Sequence, residues 1–297
     1  MKKIGFVVNH SKPRAVRFVP VLCRWLTGRG VTVYVDDALD VNVRGARVCR
    51  LASMPRLVDA IVVLGGDGTM LSAARIVGGR KVPLVGVNLG GLGFLTSVTE
   101  KEVFGLLERM LEGDYGIEER MMLAVKVRRG RRVVARHDVL NDAVLKGVGA
   151  RLVRLETRIN REYVTTYRAD GLIVATPTGS TAYSLSAAGP ILYPTIHSII
   201  VVPICPFNLT NRPLVIPDWM QVEVRLCADP AEIRLTLDGQ VETALACGDV
   251  IDMRRSSRSI YLVRHRSGKS YFDILRERLL WEVKADSHPL KNDGKGG

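Results

Sequence analysis

Leu64-Gly65-Gly66-Asp67-Gly68-Thr69 follows the apolar run Ala60-Ile61-Val62-Val63 and precedes Met70-Leu71-Ser72-Ala73-Ala74. The run reads as a buried strand and the segment beyond it as the start of a helix, which puts the glycines in a strand-to-helix turn. Glycine lets a backbone take positive φ and approach a ligand closely. The free N–H groups of a helix start suit phosphate oxygens. Gly65, Gly66, Gly68 and Thr69 are therefore candidate phosphate-binding residues. Phosphate loops of the Walker A kind carry a lysine at this point, whereas this motif carries Asp67 and no lysine. A carboxylate beside a polyanion is repelled unless it holds a metal or takes a proton, which makes Asp67 a candidate catalytic group. The competing reading is an ordinary helix cap.

Outward from this turn, the first part of the chain alternates strand and helix signals. Strands are expected over residues 3–8, 31–35, 60–64 and 83–87, with helices over 11–26, 69–77 and 102–112. This order predicts an α/β domain with a mostly parallel sheet, in which ligands bind at the carboxyl ends of strands. After Gly113-Asp114-Tyr115-Gly116 the pattern changes to short Val-, Ile-, Leu-, Arg- and Thr-rich runs. Strands are expected over 121–127, 133–140, 152–159, 162–166, 172–175, 199–202, 214–216, 222–226, 233–237, 249–253 and 259–263, hence a β-rich second domain. One helix over 180–187 interrupts it, and an amphipathic helix over 271–281 is placed to return to the first domain. The expected division is 1–117, 118–270 and 271–297, the last ending in a polar, Gly-rich tail.

The 297 residues suffice for two domains, and 47% hydrophobic with 25% charged residues is the balance of a soluble globular protein. The net charge of +13 points to acidic partners. The basic residues alternate with apolar ones, as on solvated strand faces and hairpin tips. With 6% aromatic residues and no recognition module, a nucleic-acid partner is not expected. The five cysteines, Cys23, Cys49, Cys205, Cys227 and Cys247, have no CxxC spacing, which favours a reducing cytoplasm over a disulfide framework or zinc site. The apolar run after Met1-Lys2-Lys3 ends at Asn9-His10, too short for a secretory signal. No stretch approaches the roughly 18 apolar residues of a membrane span. The five histidines show no metal-ligand spacing, and no protein residue is assigned to a metal.

Two further clusters stand at strand ends. Asn88-Leu89-Gly90-Gly91-Leu92-Gly93-Phe94-Leu95-Thr96 follows the strand ending at Val87 and does not match a dinucleotide fingerprint. Arg168-Ala169-Asp170-Gly171 leads through a strand into Thr176-Pro177-Thr178-Gly179-Ser180-Thr181-Ala182-Tyr183-Ser184-Leu185-Ser186. So many hydroxyls suit ribose and adenine, which need directional hydrogen bonds more than charge; a helix cap would use one of them. Asn141-Asp142 and Asp238-Gly239-Gln240 read by themselves as turns.

Together these three clusters resemble the NAD kinases, from the first strand to about Trp281. The motif at 65–69 also occurs in diacylglycerol, sphingosine and phosphofructokinase relatives; the segment 170–184 is far more particular to NAD kinases. The resemblance implies phosphorylation of the adenosine 2′-hydroxyl of NAD to give NADP, using ATP or polyphosphate and Mg²⁺ or another divalent metal, in a homo-dimer or homo-tetramer. It implies that Asp67 accepts the hydroxyl proton and that Gly68 contacts the dinucleotide. Asn141-Asp142 matches a substrate-binding Asn-Glu pair with the acid one methylene shorter. Arg151, Arg168 and Asp170 match binding positions, as do Thr181, Ala182, Tyr183, Ser184, Leu185, Ser186 and Gln240. Phe207 stands where the family usually carries His. A lipid kinase of the same superfamily would share the first motif without needing the hydroxyl segment, and a non-catalytic NAD sensor would bind NAD without releasing ADP.

Overall fold

The computed structural model describes residues 1–39, 43–90, 93–96, 98–149, 151–227, 232–264 and 269–281. Gly91 and Leu92 of the second glycine cluster, His265, His288 and the tail beyond Trp281 lie outside these residues. The first half runs β1 (Lys3–Val8), α1 (Pro13–Thr27), β2 (Thr32–Asp36), β3 (Ala46–Cys49), β4 (Ala60–Gly65), α2 (Asp67–Val77), β5 (Leu84–Asn88), β6 (Val98–Thr99) and α3 (Glu102–Glu112). The second half runs β7 (Gly116–Arg129), β8 (Arg132–Val139), β9 (Asp142–Gly147), β10 (Val153–Ile159), β11 (Glu162–Ala169), β12 (Gly171–Ala175), α4 (Tyr183–Ser186), β13 (Ser198–Ile204), β14 (Leu214–Pro217), β15 (Val222–Leu226), β16 (Ile233–Leu237), β17 (Val241–Leu245), β18 (Val250–Arg264) and α5 (Tyr271–Leu279).

Strands β1 to β6 pair in parallel, with β4 between β1 and β5. One face packs its alternate residues, among them Phe6, Val33 and Val62, against α1 and α3; the other packs Ile61, Val63 and Leu84 against α2. Burial on both faces explains the unbroken apolar runs of β4 and β5. Gly28, Gly78 and Gly113 end the three helices.

The β-rich half divides between two sheets. β7, β8, β10, β11, β15 and β18 extend the first sheet, and β14-β13-β12-β9-β16-β17 form a second, antiparallel one. Between the two lies a core of Leu123, Val125, Leu155, Val224 and Ile251 facing Leu145, Leu172, Val174, Val201 and Leu235. β18 carries the chain back to the first domain: its Leu262 pairs in parallel with Leu84 of β5. The expected C-terminal helix forms as α5, started by a reciprocal cap between Ser270 and Asp273. Its Tyr271 ring lies 6.5 Å from Phe94 and 5.2 Å from Tyr193, so α5 bridges the two halves.

Several local expectations need correction. The runs at 249–253 and 259–263 are one strand, with a bulge between Arg255 and Ser259 against β7 where the sequence breaks the apolar pattern. Asn141-Asp142 is no free-standing turn, since Asp142 opens the buried central strand β9. The helix over 180–187 reduces to a 3₁₀ turn, Thr178–Thr181, and the single turn α4. The hydroxyls compete with the helix for backbone there: Ser180 Oγ donates to Pro177 O and Thr181 Oγ1 to Thr178 O.

Candidate functional site

The glycine turn lies at the carboxyl end of β4, as expected, but by a different backbone route. None of Gly65, Gly66 or Gly68 takes positive φ. Gly66 is extended at φ −126° and caps α2, so Asp67 is the first helical residue and not the cap. Its carboxylate turns away from its own helix toward the second glycine cluster. Oδ2 accepts from Phe94 N at 2.8 Å, and Oδ1 accepts from Leu95 N at 3.0 Å and from Thr96 N and Thr96 Oγ1, each at 3.1 Å. This seat requires glycine at 93, where a β-carbon would lie 2.1 Å from Asp67 Oδ1. The two glycine motifs thus form one structure, the first supplying an anion and the second a cradle of donors. A carboxylate offers about four acceptor positions. Among the described residues Oδ1 is crowded by three donors, and Oδ2, with one, retains room for a hydroxyl.

The tip of the β16–β17 hairpin closes the other side. Asp238 accepts from Leu140 N at 3.0 Å, Asn141 N at 2.7 Å and Asp142 N at 3.3 Å. Asp238 and Gly239 have φ of 51° and 64°, the left-handed backbone that a tight hairpin needs. Gln240 spends its side chain on α2: Nε2 donates to Gly68 O at 2.7 Å, and Oε1 accepts from Ser72 Oγ at 2.9 Å and from Arg75. Asn141 O accepts from Thr176 N at 2.9 Å. Gly179 permits this approach, because a β-carbon there would lie 2.1 Å from Asn141 O. Asp67, Gly68, Gln240, Asp238, Asn141 and the hydroxyl turn are thereby joined by direct contacts.

Asp142 is 4% exposed, and burial together with the Asp238 charge pushes its carboxyl up to about 7. Burial also raises Asp238, but three backbone donors and Arg75 oppose that.

The hydroxyl segment is less open than its sequence implies. Thr176 Oγ1 donates to Leu140 O at 2.5 Å, and Ser180 Oγ also accepts from Leu192 N at 3.1 Å. Thr178 Oγ1 accepts from Arg120, a guanidinium only 2% exposed. Ser184 is fully buried and its Oγ has no partner among the described residues. Ser186 and Tyr183 are exposed, and Thr181, Ala182 and Leu185 half-buried.

Arg151, Arg168 and Asp170 are not part of this assembly. Asp142 pairs with Ala175 at one end of β12, and Lys146 with Gly171 at the other. At 3.3 Å per residue the two ends of the strand are about 13 Å apart. Arg168 is exposed and its guanidinium lies over the Phe207 ring at 4.8 Å. Sequence reasoning missed Asp238, Arg120 and the donors Phe94 to Thr96. The Asp-Gly pair signals a hairpin, but no local pattern says what its tip will touch.

A family model described as the ATP-NAD kinase N-terminal domain matches residues 4–115, and one for the ATP-NAD kinase C-terminal domain matches residues 140–265. The chain is 48% identical to the NAD kinase of Geobacter metallireducens over 282 residues, covering 95% of this chain and 99% of that one. It is 45% identical to the NAD kinase of Geotalea daltonii over the same shares. Among solved structures, yeast NADH kinase complexed with NADH superimposes with a TM-score of 0.85 at 25% identity, over 99% of this chain and 90% of that one. The Archaeoglobus fulgidus NAD kinase in complex with ATP shares the fold, with a TM-score of 0.72 at 23% identity over 93% and 98%. An acid seated between two glycine loops, with likeness of this extent across both halves, places the chain in the NAD kinase family, the enzymes that phosphorylate NAD to NADP at the expense of ATP.

Proposed function

We propose that this chain transfers the γ-phosphoryl group of ATP to the 2′-hydroxyl of the adenosine ribose of NAD, with Asp67 as the proton acceptor. The observation that carries the reading is the seat of Asp67: among the described residues four donors orient its carboxylate, and only one of them is on Oδ2. Phosphoryl transfer is catalysed mainly by positioning and charge stabilisation. The turn formed by Gly65, Gly66, Gly68 and Thr69 holds the donor phosphates at the start of α2. Asn141, Asp142 and the segment 181–186 stand on the acceptor side, and Gln240 lies between it and the donor cavity; Arg151, Arg168 and Asp170 meet a part of the substrate reaching past β12.

Among the described residues no three His, Cys, Asp or Glu side chains converge on a cation site. Asp67 Oδ1 is moreover committed to three hydrogen donors. These residues do not fit a protein-held metal, so a divalent ion enters as part of the metal–ATP substrate, and no step is assigned to a resident ion.

A cytoplasmic setting fits five cysteines that are all unpaired, and no helix among the described residues is long and apolar enough to cross a membrane. Exposed Phe207, Leu209 and Trp219 fit a homo-dimer or homo-tetramer. The test is product analysis of purified protein with NAD, Mg²⁺ and either ATP or polyphosphate. NADP and ADP are expected with ATP, and binding of NAD without ADP release would leave a sensor.

A further inference from the structure

The glycine turn lacks the lysine of other phosphate loops, and the fold returns one from elsewhere. Lys12, in the loop between β1 and α1, brings Nζ to 3.8 Å from the point where a β-carbon on Gly66 would stand. Lys12, Gly66, Gly68 and Thr69 line one cavity of about 550 Å³, within the range of small-molecule sites. Its wall is built from the carboxyl end of β1, the loop after it, Asp36, Leu51 and α2, and only Gln240 comes from the second sheet.

Lys12 is half-buried and makes no ion pair with any described residue. The acid sharing the cavity, Asp36, is 6% exposed and faces His10 at 3.8 Å. An ammonium with restricted hydration and no counter-ion among the described residues, set beside the positive end of a helix, is electrostatically unfavourable until an anion arrives. The fold tolerates that arrangement on the β1 side of the turn, while Asp67 presents its carboxylate to the 93–96 backbone on the β5 side.

We propose that Lys12 is the donor-phosphate cation of this enzyme, contacting the β- and γ-phosphates of ATP over Gly66 and Gly68. This rests on the reading of residues 65–69 as the donor-phosphate loop. The ribose oxygen forms its bond to the γ-phosphorus as the bond from that phosphorus to the β–γ bridging oxygen breaks. The hydroxyl proton passes to Asp67 Oδ2, and the electron pair leaves on ADP. Lys12 meets the charge that grows on the leaving phosphate, an interaction stronger in the transition state than in the bound substrate. The reaction thus uses a split motif, with anion and cation supplied by separate loops on opposite sides of one turn.

Steady-state kinetics of Lys12→Met and Lys12→Arg, with ATP and NAD varied separately, test this. Losing a charge-assisted hydrogen bond is expected to lower kcat/KM for ATP by about 10- to 100-fold in Lys12→Met. Lys12→Arg retains most of the activity, and calorimetric NAD binding without ATP is unchanged in both. Inorganic tripolyphosphate, used as a competitive probe against ATP, inhibits the native enzyme and the Arg variant more strongly than the Met variant. If Lys12→Met stays within about twofold of native kcat/KM for ATP, or the Arg and Met variants lose equally, the inference is wrong. A native protein that makes no NADP overturns the enzymatic reading instead, which separates the two failures.

Discussion

The side-chain amide of Gln240 donates to the main-chain carbonyl of Gly68 across 2.7 Å, a contact between residues 172 positions apart. It ties the hairpin tip of the second sheet to the first turn of α2, where the candidate phosphate loop begins. The same hairpin holds Asn141 through Asp238, so a single loop registers the two halves of the site against each other.

Replacing Gln240 with Ala removes this staple and leaves Arg75 and Ser72 without their shared acceptor. A loss of about 1–2 kcal/mol is expected in urea unfolding, together with a fall in kcat/KM. Unchanged stability and turnover in this variant would remove any energetic role from the contact.

Asp67→Asn preserves shape but cannot take a proton, and its NH₂ group faces backbone N–H donors. Turnover is expected to drop by about 10²–10⁴-fold, while NAD affinity measured by calorimetry stays close to native. Near-native turnover would take Asp67 out of the chemistry.

Gly93→Ala attacks the same group from outside. The added methyl occupies the place of Asp67 Oδ1, so the carboxylate has to move. A displacement near 1 Å costs about 100-fold in rate. The expected result is a folded protein by circular dichroism with turnover reduced to that extent, and normal kinetics would contradict the seat described for Asp67.

Asp142 supplies a pH dependence. Its carboxyl rises from 3.8 to about 7 in the folded chain, through burial and the neighbouring Asp238 charge. A raised acid stabilises the fold in full below its unfolded value, and that contribution is lost as pH climbs to the folded one. Between about pH 4 and 7 the native protein should therefore lose stability relative to Asp142→Asn, on the order of 1–3 kcal/mol, with no further change above. Denaturant midpoints of both proteins at pH 5 and pH 8 check this; parallel behaviour at the two values would refute it.

Much of the first domain was legible because its elements follow one period each. Apolar runs such as Ala60-Ile61-Val62-Val63 are strands buried on both faces, and the buried positions of α1, Ala15, Val19, Leu22, Cys23 and Leu26, recur at helical spacing. The β-rich half was legible as strands but not as sheets, since pairing depends on partners far along the chain. The break between the runs at 249–253 and 259–263 looks like a turn in sequence, and only β7 alongside makes it a bulge. The hydroxyls of 176–181 look free in sequence, yet Leu140, Pro177, Thr178 and Leu192 absorb them.

The order of residues alone determined the strand–turn–helix around Asp67, the change from α/β to β-rich character, and the motifs that mark the family. These features rest on local periodicity and turn chemistry, which neighbouring residues settle among themselves. Tertiary structure alone decided that Asp67 faces the amides of 94–96, that Gln240 grips α2, that β18 joins the first sheet, and that Lys12 reaches Gly66. Each of these joins groups distant along the chain, and only the packing of sheets and helices sets the distance and direction on which such contacts depend.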